Sequence, residues 1–395
     1  MKETWRWFGE QDSITLDHVK QAGATGIVTA LHHLYDGRVW RPEDIQPRMD
    51  VIRASGLDWT VCESIPMETS IKLGNADAPK HIAAWKDTLA NLGRAGVSAV
   101  CYNFMPVVDW TRTDLMHRLP STGFGVRFDM VDFVGYDTFV LKRPHAEEDY
   151  PAALVANAQD RIAAMGADEL AVLERNIIAG LPGGFGAHTR HSISELLAQF
   201  SDVDDSVMRD NLIAFLREVV PVAEEVGVKL AIHPDDPPFS LFGLPRVVST
   251  AADVRQIFDA VPSSANGLTL CTGSFGARAD NDLVAMAKEF APRIRFAHLR
   301  NVTIEDNGSF HEAEHLDGGT DMLGVIDALL REETRRRAAG DTVEIPIRPD
   351  HGHLIGDDIG KPGNPGYSYI GRLKGLAELR GATRAIARAQ QLGTK

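Results

Sequence analysis

Cysteine is scarce in this chain, which has only three in 395 residues, namely Cys62, Cys101 and Cys271. An odd, widely spaced set is not a disulfide framework, and it favours a reducing compartment. No apolar run approaches the roughly 20 residues that a membrane helix needs. The opening residues, "MKETWRWFGE", also lack the apolar core of a signal peptide. We therefore expect a cytoplasmic protein that neither crosses nor binds a membrane.

The chain also has fewer basic than acidic residues, and it contains no phosphate-binding motif. The chain has 41 Lys and Arg against 55 Asp and Glu, which gives a net charge of -14. An acidic surface disfavours nucleic acids as partners, although a local basic pocket can still bind an anionic substrate. The glycine-rich "LPGGFG" (181–186) lacks the Lys and Ser or Thr of a phosphate loop and is expected to be a flexible loop. The expected partners are a small-molecule substrate and further copies of the chain, most simply in a dimer.

The chain does contain a regular alternation of short apolar runs and helical patterns. The apolar runs are "GIVTAL" (26–31), "DWTVCES" (58–64), "SAVCYNF" (98–104), "VKLAIHPDD" (228–236), "GLTLCTG" (267–273), "IRFAHLRN" (294–301) and "VEIPIRPDHGH" (343–353). Near-continuous apolar strands separated by helices predict a parallel sheet covered on both faces. Because no linker rich in Pro, Gly or Ser interrupts the pattern, we predict an α/β fold, a (β/α)8 TIM barrel, as a single domain over residues 1–395.

One barrel strand is missing from this count of seven. We expect the eighth between Phe104 and Val228, where "GYDTFVL" (135–141) and "NIIAGLP" (176–182) compete for it. This stretch is far longer than one βα unit needs. We therefore predict an inserted, mostly helical lid region after the third counted strand, at about residues 107–190.

Four consecutive apolar runs end in side chains that can bind a metal. They are His233 in "AIHPDD", Cys271 in "TLCTG", His298 in "FAHLRN" and Asp350 in "IRPDHG". Each alone has a plainer explanation, as a hydrogen-bonded core histidine, a small buried thiol or a turn residue. The C-terminal ends of barrel strands meet at one rim, so four in register favour a metal site. A closed tetrahedral zinc site would fit, but five- or six-coordinate Mn²⁺ or Fe²⁺ suits an enzyme better.

The stretch "IRPDHGHLI" (347–355) adds further ionisable groups beside Asp350. His351 could shuttle a proton near neutral pH. The guanidinium of Arg348 could bind a carboxylate or a phosphate group. Alternatively, it could form a structural salt bridge, and both alternatives stay open. His353 is expected to support the site from outside or to lie at the surface.

Polar side chains follow the other strands as well. Those that could contact substrate hydroxyls are His32, His33, Glu63 and Asn103. For Glu63 and Asn103, capping a helix is an equal alternative. In "NPGYSYIGR" (364–372), the Pro-Gly turn could aim Tyr367 over the rim as an acid or base, whereas Tyr369 is expected to be a packing aromatic.

At these residues the chain resembles the mannonate dehydratases of the metal-dependent, xylose-isomerase-like barrel type. The motifs that carry the resemblance are "TWRWFG", "GATGIVTALHH", "AVCYNFMPVVDWTRT", "IHPDDPP", "LCTGS", "RPDHGH" and "NPGYSYIGRLKGLAELRG". They extend from Trp5 to beyond Gly381, which is nearly the full chain. The pair "RPDHGH" and "NPGY" is specific, whereas the barrel alone is not.

The resemblance implies a hydro-lyase that converts D-mannonate to 2-keto-3-deoxy-D-gluconate and water in glucuronate catabolism. It implies that Mn²⁺ or Fe²⁺ is held by His233, Cys271, His298 and Asp350, and that Tyr367 and His351 act with Asp350 in catalysis. A divalent ion would stabilise charge while a base takes the C2 proton and an acid assists departure of the C3 hydroxyl. Which of Tyr367 and His351 is the base stays open.

Two other functions compete with this one. A metal-dependent sugar isomerase can use the same barrel, but its site is usually rich in carboxylates and its substrate has none. Cys271 and Arg348 therefore favour the dehydratase. A periplasmic sugar-acid or metal-binding protein would carry a signal peptide and two lobes, and neither is indicated.

Overall fold

Eight parallel strands close into a barrel in the computed structural model, which describes residues 1–178 and 189–393. In chain order the strands of the described residues are β1 (Lys2–Arg6), β2 (Gly26–Thr29), β3 (Asp58–Glu63), β4 (Ala99–Tyr102), β5 (Asp114–Arg118), β6 (Phe124–Phe128), β7 (Lys229–Ile232), β8 (Asn266–Cys271), β9 (Ile294–His298), β10 (Val302–Ile304), β11 (Phe310–Glu312) and β12 (Pro346–Arg348). The barrel order is β1-β12-β9-β8-β7-β4-β3-β2. The prediction of a (β/α)8 barrel is therefore confirmed.

Helices cover the outside of the barrel. Over the same residues they are α1 (Leu16–Gln21), α2 (Pro42–Ala54), α3 (Thr69–Leu73), α4 (Ala78–Ala95), α5 (Met130–Gly135), α6 (Ala152–Ala164), α7 (Ala167–Ile177), α8 (Arg190–Gln199), α9 (Asp205–Val226), α10 (Ala251–Ala260), α11 (Thr272–Phe275), α12 (Leu283–Phe290), α13 (Met322–Ala338) and α14 (Tyr369–Gly393). No helix among the described residues has both the length and the apolar character that crossing a membrane requires.

The predicted position of the eighth strand is wrong. The strand that completes the barrel is β1, which lies between β2 and β12 at the start of the chain. The run "GYDTFVL" is helical instead and lies in the end of α5 and a π-helix at Tyr136–Leu141. The run "NIIAGLP" begins in the end of α7 and lies outside the described residues from position 179, as does "LPGGFG".

The composition of β1 explains why its pattern was missed. Its sequence, "KETWR", has four polar residues and a single aromatic one, Trp5, unlike the apolar runs of the other barrel strands. The hydroxyl of Thr4 donates to the carbonyl oxygen of Ile347 at 2.8 Å, and Arg6 forms an ion pair with Glu63 at 2.7 Å. Polar side chains of β1 are thus buried because partners inside the barrel satisfy them.

The insertion between β4 and β7 carries a hairpin as well as helices. Strands β5 and β6 pair with each other, and β6 pairs antiparallel with β11, so a second four-stranded sheet forms in the order β10-β11-β6-β5. The insertion follows the fourth strand in chain order, because β1 was not counted in the sequence. That residues 107–190 act as a lid, and that the whole chain is one domain, stay predictions.

A small apolar layer fills the middle of the barrel. It consists of Val28, Val61, Ala99, Cys101, Ala231 and Phe296. Larger side chains form the main core between the strands and the surrounding helices. The apolar layer separates the C-terminal rim of the barrel, where the strands end, from the floor, where they begin.

Gly352 lies where the loop after β12 meets α14. Its N–H donates to the carbonyl oxygen of Gly366 at 2.8 Å. An added Cβ would lie 2.4 Å from the backbone nitrogen of Arg372 and 2.5 Å from the carbonyl carbon of Gly371. We expect Gly352→Ala to lower the thermal unfolding midpoint, because backbone must move and overpacking typically costs about 1–3 kcal/mol. Gly363→Ala is the control, since its Cβ would meet nothing within 4 Å; equal midpoints would contradict the tight contact.

Candidate active site

Three of the four predicted metal ligands meet at the rim. His233 directly follows β7, Cys271 ends β8 and His298 ends β9. One ligand atom from each lies within 4.8 Å of the others. These three strands are neighbours in the barrel, and Cys271 and His298 are paired in register. The sheet therefore brings together side chains that are up to 65 residues apart in the chain (298 − 233).

The fourth predicted ligand, Asp350, lies beside two of the three. Its Oδ2 is 4.0 Å from Sγ of Cys271 and 3.9 Å from Nδ1 of His298. Burial alone would raise the pKa of this carboxyl, but neighbouring cations, Arg348 first among them, hold it well below its usual range. Asp350 is therefore an anion at neutral pH and can serve as a ligand.

The imidazole ring of His298 is buried without hydrogen-bond partners among the described residues. Its side chain is 0% exposed, and neither ring nitrogen has a hydrogen-bond partner within the described residues. Burial, and then the charge of Arg348, lower the pKa of His298 well below its usual value, so the ring is neutral. A buried polar group without a partner costs about 1–3 kcal/mol. A bound cation would satisfy one of the two nitrogens, so the residues present fit a metal ion.

Cys271 also fits a cation. Burial, and then the charge of Asp350, raise the pKa of its thiol to about 12. The hydroxyl of Ser274 donates to Sγ at 3.1 Å, which is the kind of contact that stabilises a thiolate. Because a metal binds the thiolate and not the thiol, loading the site would release a proton from Cys271.

A second group of ligand type shares His298 and adds Glu63 and Cys101. The carboxylate of Glu63 is already paired with Arg6 at 2.7 Å and with Arg348 at 2.9 Å. Cys101 belongs to the apolar layer in the middle of the barrel. The charges of this second group are balanced without an ion, so the group around His233 is the better metal site.

Arg348 acts as a structural bridge in this structure. Its guanidinium is 2.8 Å from Asp350 and 2.9 Å from Glu63, and the side chain is 2% exposed. Of the two alternatives left open by the sequence, the geometry favours the salt bridge over a free fork for substrate. The bridge holds Asp350 in the position that faces Cys271 and His298.

Tyr367 lies against the same carboxylate. Its hydroxyl is 3.5 Å from Oδ1 of Asp350, and its ring packs edge-on against Phe8 with the centroids 5.1 Å apart. Burial, and then Asp350, raise the pKa of the phenol. Tyr367 is therefore protonated at neutral pH and can donate a proton.

His351 is oriented by a carboxylate from the second sheet. Its Nδ1 is 2.8 Å from Oε1 of Glu312, at the end of β11. A carboxylate can only accept, so Nδ1 carries the proton and Nε2 keeps a lone pair. The ring also lies edge-on to Tyr367, with 5.1 Å between centroids. The two predicted acid–base groups are thus neighbours.

The structure places the predicted substrate-binding residues unequally. Glu63 and Asn103 line the rim cleft together with Asp109 and Trp110 of the insertion. His32 is partly buried and packs against Phe8 and Tyr35 instead of lining the cleft, and His33 is exposed. His353 donates from Nε2 to the backbone oxygen of Glu312 at 3.1 Å, which places it outside the cleft as a support.

Sequence reasoning missed four charged residues around the site. They are Arg112, Asp236, Arg300 and Glu312, and all are buried. Arg300 is 3.0 Å from both Asp236 and Glu312, while Arg112 is 2.7 Å from Asp236. Asp236 and Arg300 stand within three residues of predicted ligands, in "HPDD" and "HLRN", and that proximity was the only sequence signal for them.

Comparisons with known proteins give one family. The model of the D-mannonate dehydratase (UxuA) family matches residues 1–393. The chain is 67% identical to mannonate dehydratase 2 of Agrobacterium fabrum and 56% identical to the mannonate dehydratase of Saccharophagus degradans, in each case over 98% of both chains. A solved structure of mannonate dehydratase from Streptococcus suis serotype 2 is 31% identical, with a TM-score of 0.77, over 99% of this chain and 95% of that one. A xylose isomerase-like TIM barrel protein from Mycobacterium smegmatis, at 14% identity and a TM-score of 0.50 over 94% of this chain and 88% of that one, shares the fold.

The ligand geometry predicts which histidine controls metal content. We expect His233→Ala to lose most of its bound metal after purification with Mn²⁺, because one of three ligand atoms within 4.8 Å is removed. Elemental analysis of the purified variant measures this directly. His33→Ala, at an exposed histidine, should keep the wild-type content. A fully loaded His233→Ala protein would remove His233 from the ligand set.

Proposed function

Because this chain belongs to the D-mannonate dehydratase (UxuA) family and dehydrates D-mannonate, we propose that the rim cluster around His298 is its catalytic centre. The observation that carries the proposal is the meeting of three ligand atoms within 4.8 Å beside a buried pair of acid–base groups. Loss of the C2 proton and the C3 hydroxyl from D-mannonate leaves an enol. Its tautomerisation gives 2-keto-3-deoxy-D-gluconate.

The proposed cofactor is Mn²⁺ or Fe²⁺, and the proposed ligands are His233, Cys271, His298 and Asp350. This mixture of nitrogen, sulfur and oxygen donors suits a transition ion better than Mg²⁺, which prefers oxygen. Once bound, a divalent ion would supply Lewis acidity that stabilises negative charge on substrate oxygens. The unpartnered ring nitrogens of His298 support an ion at this place.

His351 is the proposed base for the C2 proton. Its Nδ1–H is held by Glu312 at 2.8 Å, which leaves the lone pair of Nε2 to accept a proton. The imidazolium formed in this step would lie next to the Glu312 carboxylate, which stabilises the new charge. A positioned base typically contributes on the order of 100- to 10,000-fold in rate.

Tyr367 is the proposed acid for the departing C3 hydroxyl. Its raised pKa keeps the phenol protonated, as a proton donor must be. Nearby arginines stabilise the phenolate left after transfer, since Arg348 and Arg372 lie 5.8 Å and 5.3 Å from the ring centroid. The different surroundings of His351 and Tyr367 thus favour the assignment of base to the first and acid to the second.

The remaining cleft residues are proposed to hold the substrate. Glu63 and Asn103 offer oxygen and amide groups to the hydroxyls of the sugar acid. Trp110 lies edge-on to His351, with 5.9 Å between centroids, which supports a lid role for its segment. We also propose a cytoplasmic location, supported by three buried free thiols, and a homo-oligomer, most simply a dimer.

The proposed cofactor is tested by stripping and reloading. Protein treated with a chelator should produce no 2-keto acid from D-mannonate, as measured by semicarbazide absorbance. Mn²⁺ or Fe²⁺ should restore the rate better than Mg²⁺, because thiolate and imidazole ligands prefer the transition ions. Full activity of the stripped protein would overturn the metal proposal.

Tyr367→Phe tests the proposed acid. The variant keeps the ring and its packing but loses the hydroxyl. We expect kcat to fall by about 100-fold or more while metal content and thermal stability stay near wild type, because a positioned proton donor is lost. KM should change little unless the hydroxyl also binds the substrate.

Tyr369→Phe is the matched control. Tyr369 packs against Trp5 and His18 with centroids 6.0 Å and 4.8 Å apart, away from Asp350. This substitution should leave kcat nearly unchanged. Equal losses in the two variants, or a larger loss in Tyr369→Phe, would contradict the assignment of Tyr367.

A further inference from the structure

A second cavity lies at the floor of the barrel, where the strands begin. Its volume is about 600 Å³, within the usual range of small-molecule sites. The lining includes the first residues of β1, β3, β4, β7 and β12, so it lies at the opposite end from the rim cleft. The apolar layer in the middle of the barrel separates the two.

Cations from five separate elements face this cavity. They are Lys2, Arg53, Lys229, Arg295 and Arg336. Two of these cations already have a carboxylate partner: Lys2 pairs with Asp58 at 2.7 Å, and Arg336 pairs with Glu332 at 2.8 Å. On a chain of net charge -14, a concave surface that gathers this many cations is a local exception.

Within the described residues, three of the five cations lack a carboxylate partner, and of these Lys229 and Arg295 are partly buried whereas Arg53 is exposed. Over the same residues, Lys229 has neither an ion pair nor a side-chain hydrogen bond. Arg295 donates from one terminal nitrogen to the backbone oxygen of Ser264 at 2.7 Å, but its Nε is buried without a partner. Burial, and then the nearby charge of Arg295, lower the pKa of Lys229. Burial, and then Arg336, likewise lower the pKa of Arg295 to about 10. Two partly buried like charges repel each other, and an anion between them would relieve that repulsion.

In the part of the chain that the structure describes, none of the carboxylates of the cavity forms an ion pair with Lys229 or Arg295. Asp58 pairs with Lys2. The charge of Asp341 acts on both Lys229 and Arg295, but Asp341 and Glu344 lie exposed on the loop before β12, where water screens them, and neither forms an ion pair with these two cations. The backbone also accommodates the cations. A Cβ on Gly267 of β8 would lie 2.4 Å from Cγ of Arg295, so only glycine leaves room for that side chain beneath the barrel.

We propose that this floor cavity binds the phosphate group of a small metabolite, with Lys229 and Arg295 as its principal contacts and Arg53 at the mouth. A phosphate dianion matches the two positive charges of Lys229 and Arg295. Arginine and lysine together supply the donors that phosphate oxygens accept. The cavity is larger than one phosphate, so a phosphate ester of a small sugar fits its volume.

Calorimetric titration of the metal-loaded protein tests the site, with inorganic phosphate and glucose 6-phosphate as probes. Wild type should bind, and Lys229→Met and Arg295→Met should each weaken binding about tenfold or more, because a charge-assisted contact is lost. Arg53→Met, at an exposed position where folding is not at risk, should also weaken it. Lys86→Met is the control, since Lys86 forms a surface pair with Glu218 elsewhere.

The affinities of the two probes distinguish the possible ligands of the floor cavity. Tighter binding of glucose 6-phosphate than of phosphate would support a sugar phosphate as ligand, and equal binding would support recognition of the phosphate group alone. No binding up to about 10 mM, the range of very weak affinity, would overturn the proposal. Equal affinity of wild type and the three floor variants would also overturn it, because phosphate would then bind elsewhere, including the rim.

Discussion

Eight buried charges at the rim are linked into one alternating chain of arginines and carboxylates. In order of contact they are Arg6, Glu63, Arg348, Asp350, Arg300, Asp236, Arg112 and Glu312, and Glu312 returns to Arg300. None is more than 5% exposed. A buried ion without its partner destabilises a protein by about 3–5 kcal/mol. The alternation therefore leaves each side chain little freedom, and it fixes Asp350 beside the proposed ligands and Glu312 beside His351.

The charges of this chain also favour the substrate. Four arginines and four carboxylates sum to zero, and His298 adds no charge because its ring is neutral. A divalent ion, the Cys271 thiolate and one substrate carboxylate would again sum to zero. A neutral sugar would leave one positive charge uncompensated in a buried site, which is costly. The same site is thus better balanced for a sugar acid than for the sugar of an isomerase.

The sequence was sufficient to predict that the four candidate ligands lie close together, because that prediction depends on a single rule of barrel architecture. Parallel strands end at one rim, and β7, β8, β9 and β12 are neighbours in the barrel, so residues at their ends converge. The ion-pair chain was not predictable in the same way. Arg112 and Asp236 are 124 residues apart, and no local pattern shows that two such segments meet. Likewise, the short apolar run at 135–141 was compatible with either a strand or a helix. It is helical in the structure, where it packs within the insertion.

The strand that the apolar pattern missed connects the two charged ends of the barrel. Lys2 of β1 faces the floor cavity, Thr4 donates across to β12, and Arg6 begins the ion-pair chain at the rim. The other two residues of β1 point outward to α14, where Trp5 packs against Tyr369 and Glu3 pairs with Arg380. A strand that served the core alone would present apolar residues inside the barrel. The polar inner face of β1 is therefore a consequence of the charged groups at both ends of the barrel. The same polar residues that contact the rim and the floor are the reason why the search for apolar runs missed this strand.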